Sequence, residues 1–165
     1  MKYTEATEET NEMVNEISSK LGLDIYGVKF EAIYVQKAKE VCKVVKANDF
    51  AKYKAKEEDL VFVVCYEDFF EGIDQLGHAY ASEEDKYKAL RLAMEQVSYD
   101  PEKEKLIVGC SSVLIPVGYC IGNEDAVKSA LYNATIMANI QKDKKEIEDR
   151  KKALKTKGKN KNNQN

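Results

Sequence analysis

The sequence contains no tryptophan, one histidine, two prolines and eight glycines in 165 residues. A lone histidine, His78, excludes two-histidine zinc sites, and its place after Gly77 at the end of a helical pattern suits a surface or helix-end residue. So few prolines and glycines leave little room for a long linker or a turn-rich sandwich. There is no GxGxxG, GxxxxGK[ST] or GxSxG, so dinucleotide, phosphate-loop and serine-hydrolase chemistries have no support. The longest apolar run, Leu60 to Cys65, falls far short of the roughly 20 residues that span a bilayer. The opening stretch MKYTEATEETNEM is acidic and lacks an apolar segment, which predicts no secretory signal and a cytoplasmic location. Cys42, Cys65, Cys110 and Cys120 include no CxxC pair, and three lie in apolar runs. They are expected to be buried free thiols rather than disulfides or zinc ligands.

What is present suits one domain: 44% of residues are hydrophobic and 33% charged. The charge is divided. Arg150, Lys151, Lys152, Lys155, Lys157, Lys159 and Lys161 meet no acid between residue 150 and the last residue. With a net charge of −3, the rest of the chain is strongly acidic. The expected organisation is one α+β domain over residues 1–149 and a basic, disordered tail over 150–165. The tail admits two readings. Its cations could contact nucleic-acid phosphates, although it lacks aromatic residues for base stacking. A solubilising end on an acidic protein is the simpler reading.

Periodicity supplies the elements. Met13, Val14, Ile17 and Leu21 recur at helical spacing, which predicts a helix over residues 7–21 ended by Gly22. Val28–Val35 and Lys39–Lys46 read as strands, and Ala47–Asp59 as a loop. LVFVVCY, residues 60–66, is apolar on both faces and should be a central strand. A short helix from Glu67 to about Leu76 should turn Phe69, Phe70 and Ile73 inward. Ser82 with Asp85 forms a capping signal. Tyr87, Leu90, Met94 and Val97 then define one face of a helix that Asp100-Pro101 should end. Strands follow at Leu106–Val108 and Ser112–Val117. Asn123 should cap a long last helix packed through Val127, Ala130, Leu131, Ala134, Ala138 and Ile140.

Candidate chemistry is sparse. Glu67, Asp68, Glu71 and Asp74 are clustered, but they lack the regular oxygen-ligand pattern of a calcium loop, and a solvated helix face is the simpler reading. Glu95 lies beside the apolar stripe, and Asp100 follows Tyr99. These two carboxylates are the only catalytic candidates, and neither needs more than a surface or turn role.

The order of elements, with DLVFVVCYEDFFEGIDQL, then a helix, then YDPEKEKLIVG, resembles the phage-type metallopeptidase family. These are zincin-like domains encoded by tailed phages and related mobile elements. The resemblance covers about residues 26–122 and is strongest at Leu60–Tyr66 and Tyr99–Lys105. It implies a small mixed sheet with packed helices and a second helix carrying HExxH, whose histidines hold zinc and whose glutamate is the general base. Here that helix reads ALRLAMEQVSYD and has no histidine, so no ligand or catalytic role transfers. The expectation is a non-catalytic accessory or binding protein with an unknown protein partner, no cofactor, no metal and no membrane contact. Nucleic-acid association through the basic tail is the first alternative, and a hydrolase using Glu95 and Asp100 the second.

Overall fold

The fold is described from a computed structural model, which places residues 2–57, 59–109 and 124–161, with side chains over 128–154 in the last helix. It is α+β. Four strands form one sheet in the order β1 (Tyr3–Glu5), β2 (Lys29–Val35), β4 (Leu60–Tyr66), β3 (Cys42–Lys46). The central pair, β2 and β4, is parallel, while β1 and β3 run antiparallel at the two edges. Parallel strands sit where both faces are covered. Accordingly, β4 is buried at every position but Phe62.

Helices α1 (Glu8–Lys20), α4 (Glu83–Met94) and α5 (Glu124–Lys161), with the single turn α3 (Glu67–Phe70), surround the main core. Val14 and Ile17 of α1, Phe69 and Phe70 of α3, Leu90 and Met94 of α4, and Ile136 and Ile140 of α5 meet Ala32, Tyr34, Val63 and Cys65 of the sheet. A smaller core joins Leu23, Val28, Val61, Val97 and Leu106. It lies beneath a hairpin of β5 (Val97–Asp100) and β6 (Lys105–Val108).

Local signals explain the helix ends. Thr7 accepts from the Thr10 amide to start α1, and the chain leaves it through Gly22 at φ 69°. Ser82 and Asp85 form the reciprocal capping box expected for α4.

Several expectations are corrected. Residues 47–59 are not a simple loop: α2 (Asp49–Ala55) forms there, capped by Asn48, whose side chain accepts from the Ala51 amide. No α2 residue is buried, and Phe50 and Tyr53 are 75% and 83% exposed. With no buried stripe there is no amphipathic signal, and only the cap marks the helix. Helix α3 stops at Phe70, and Ile73 is 62% exposed rather than inward. Helix α4 ends at Met94, and Val97 pairs with Val108 in β5–β6. Asp100-Pro101 thus opens a hairpin turn instead of closing a helix, as suits Asp followed by Pro at the first turn positions.

Of the face expected to pack the last helix, Ile140 is buried in the core, but the rest of the buried face is a different one. Asn133, Ile136, Met137 and Ile140 are buried, whereas Leu131 is 66% exposed, and Ala130, Ala134 and Ala138 also face outward. Two apolar stripes share this helix, and periodicity alone does not rank them. The helix also runs on through Lys161, so the segment expected to be disordered is helical over residues 150–161. The expected strand Ser112–Val117, the cap Asn123, the side chain of Val127, and Cys110 and Cys120 lie outside the described residues. Among the described residues, no helix is long and apolar enough to cross a membrane.

Candidate functional site

The carboxyl ends of parallel strands are where ligands gather in open sheets, and here that edge is polar. In-register pairing sets Thr4, Tyr34, Cys65 and Cys42 in one row across all four strands. One residue beyond Cys65, Tyr66 ends β4, and the chain enters α3 directly with Glu67 and Asp68.

The Tyr34 hydroxyl is the centre of the first cluster. It donates to Glu71 Oε1 at 2.5 Å and lies 2.8 Å from Thr10 Oγ1 and 3.0 Å from Thr7 Oγ1. A phenol has one proton to give. With that proton spent on Glu71, the Thr10 hydroxyl donates into Tyr34. Burial first, and the Glu71 carboxylate second, push the phenol up to about 12. Because Thr7 is also the α1 cap, this network ties α1, β2 and the end of α3 together. Beside it, Thr4 Oγ1 is buried without a hydrogen-bond partner.

The second cluster joins α3 to α5. Lys144 Nζ pairs with Asp68 Oδ2, donates to the Tyr66 hydroxyl at 3.3 Å, and lies 5.5 Å from the centre of the Tyr66 ring. The Tyr80 hydroxyl donates to Asp143 Oδ2 at 2.7 Å. Burial, followed by the Asp143 carboxylate, holds the Tyr80 phenol above its ordinary range, and burial with Asp68 does the same at Tyr66. Burial works against the charge on Lys144, but Asp68 and Tyr66 outweigh it and raise its pKa.

Three of the four clustered carboxylates therefore have separate fates. Asp68 and Glu71 hold the two contacts above. Asp74 accepts from the amides of Leu76 at 2.8 Å and His78 at 2.9 Å, and those bonds, the His78 amide foremost, lower its pKa. His78 is a turn residue whose side chain is 3.5 Å from Asp74 Oδ2 and largely exposed. A wholly solvated acidic face does not describe this segment.

Glu95 and Asp100 take local structural roles. Glu95 is the C-terminal cap of α4 and accepts from Arg91 Nε at 2.9 Å. Asp100 Oδ1 accepts from the amides of Glu102 and Lys103 at 3.1 and 3.3 Å, which holds the hairpin turn. Tyr99, between them in sequence, stacks on Tyr26 with ring centres 4.9 Å apart. Arg150, Lys151 and Lys152 are exposed on α5, and Lys155, Lys157, Lys159 and Lys161 continue its backbone.

The residues that sequence reasoning missed are Thr7, Thr10, Tyr34, Tyr80, Asp143 and Lys144. Only Tyr34 carried a signal: it follows Phe30 and Ala32 at period two, a polar atom on the buried face of β2. Among the described residues, no three His, Cys, Asp or Glu side chains are grouped as a metal ion would require.

The class this architecture defines is an α+β domain with a mixed four-stranded sheet and a long last helix. No protein-family model, curated protein or solved structure matches the chain.

Proposed function

We propose that this protein is a non-catalytic, metallopeptidase-like accessory or binding protein of a phage or mobile element, acting in the host cytoplasm on a protein partner. What supports this reading is helix α4, the helix that the resemblance would match to the family's zinc-binding helix. It turns Ala89, Leu90, Ala93 and Met94 into the core, and its capping acid Glu95 is drawn back to Arg91. On this reading the helix offers packing where a zinc-binding helix would need ligands. Elemental analysis after dialysis against excess zinc tests it. The expected result is no stoichiometric metal, and one tightly held zinc per chain would overturn the reading.

A second reading, nucleic-acid association, is favoured by the projection of α5. At about 1.5 Å per residue its 38 residues extend roughly 57 Å. None of the described side chains over residues 148–154 is buried. Arg150, Lys151 and Lys152 thus ride on helix that the body does not cover, and the backbone that carries the other four cations continues that helix. Anisotropy of a labelled DNA duplex and a labelled RNA strand at about 50 and about 200 mM salt is the test, since phosphate contacts weaken steeply across that range. Affinity that survives removal of residues 150–165 would sink this second reading.

A further inference from the structure

We propose that Cys42 and Cys65 form a redox pair that closes into a cross-strand disulfide when the protein meets a small-molecule disulfide. The two Sγ atoms are 3.6 Å apart across β3 and β4. Both thiols are free.

The ladder geometry favours bond formation. In an antiparallel pair, hydrogen-bonded and non-hydrogen-bonded sites alternate. The Tyr66 amide bonds the Val41 carbonyl at 2.9 Å, and the Ala47 amide bonds the Leu60 carbonyl at 3.0 Å. Counting along the register from either end places Cys42–Cys65 at a non-hydrogen-bonded site. There the Cα atoms are about 4.5 Å apart, inside the roughly 4.4–6.8 Å that disulfides span. Side-chain rotation has to close the sulfurs by about 1.5 Å to reach the roughly 2.05 Å bond. The backbone is already in place.

Access sets the order of events. Cys42 is only partly buried and lies on an edge strand, whereas Cys65 is sealed in the core. The hydrogen bond to Cys42 and then burial push the Cys65 thiol up, so Cys42 is the sulfur that begins exchange. Its thiolate attacks one sulfur of the oxidant, and the oxidant's S–S bond breaks. One small thiol leaves with the electron pair and takes up the proton that Cys42 gave. Cys65 then loses its proton and attacks the Cys42 sulfur of the mixed disulfide, which displaces the second small thiol. Two protein thiols are oxidised by two electrons, and one small disulfide is reduced to two thiols. The product fastens edge strand β3 to the central strand and closes the loop that carries α2.

The test uses the full chain, equilibrated with oxidised glutathione, blocked with iodoacetamide in denaturant and mapped without reduction. The expected products are a loss of two hydrogens in the intact mass and a peptide joining Cys42 to Cys65. The bond should persist in the Cys110→Ser, Cys120→Ser double variant, and reduction should restore both thiols. Cys42→Ser should leave Cys65 fully alkylated, and Cys65→Ala serves if Cys42→Ser does not fold. The oxidised protein should melt roughly 6–12 °C higher, as expected for cross-linking a loop of this length. The proposal is overturned if Cys42 and Cys65 both remain alkylated. It is also overturned if Cys42 stops at the mixed disulfide, or if the only bonds found involve Cys110 or Cys120.

Discussion

Tyr34 and Glu71, 37 positions apart in sequence, are joined by a 2.5 Å hydrogen bond that fastens the end of β2 to the end of α3. Tyr34 is 3% exposed, so its hydroxyl depends chiefly on these protein partners. Replacing it with phenylalanine removes a charge-assisted bond and strands the Thr10 hydroxyl. Tyr34→Phe should cost about 1–3 kcal/mol in urea unfolding. Glu71→Gln, which keeps an acceptor at an exposed position, should cost less. The reverse ranking would remove the network from its place in the stability of the fold.

The same phenol predicts an alkaline limit. Its folded value of about 12 lies above the ordinary 10.0, so the folded state keeps a proton that the unfolded chain releases. The contribution is fully present below about pH 10 and is lost as pH rises to about 12, at most roughly 2–3 kcal/mol. Tyr66 and Tyr80 are raised too and act in the same direction. Urea stability followed from about pH 9 to 11.5 should fall in the parent and fall less steeply in Tyr34→Phe. Equal slopes would contradict the assignment.

Gly72 is required by space. A Cβ there would collide with the backbone carbonyl of Asp68, while the Gly72 carbonyl accepts from the Tyr80 amide at 3.2 Å. Gly72→Ala should destabilise by about 1–3 kcal/mol, since the clash is with backbone and cannot be relieved by a rotamer change. Thermal melting of the variant measures it.

Two of the contacts that hold α5 to the body differ in kind, and magnitudes separate them. Lys144–Asp68 is half exposed at the lysine, and such pairs contribute about 0.2–1 kcal/mol. Ile140 is 1% exposed in the main core, and truncating a residue of that kind costs about 2–5 kcal/mol. Ile140→Ala should therefore be several-fold more damaging than Lys144→Met in urea titrations. Only the Lys144→Met effect should shrink as salt is added.

Removing residues 150–165 should lower the helical circular dichroism signal, because 150–161 is helix. The melting temperature of the body should stay within about 1–2 °C, since the described side chains of the segment, residues 150–154, are all exposed. An unchanged dichroism signal would show that this segment does not form helix in solution.

The sequence by itself determined the elements whose signals are local. LVFVVCY became the central strand because seven residues apolar on both faces can only be satisfied inside a sheet. Ser82 and Asp85 fixed the start of α4, and Gly22 the end of α1, because caps act within one turn. Glu95 and Asp100 were legible as candidates, and their modest roles follow from neighbours four residues away or fewer. Tertiary structure decided what depends on distant partners. Val97 extends the stripe of α4 in sequence, yet pairing with Val108 draws it into a hairpin. Leu131 and Ile136 present comparable stripes on α5, and only the shape of the core selects Ile136. The polar row at the sheet end was invisible because Thr4, Tyr34, Cys65 and Cys42 are brought together only by strand order and register. No local periodicity encodes an order in which the fourth strand lies between the second and the third.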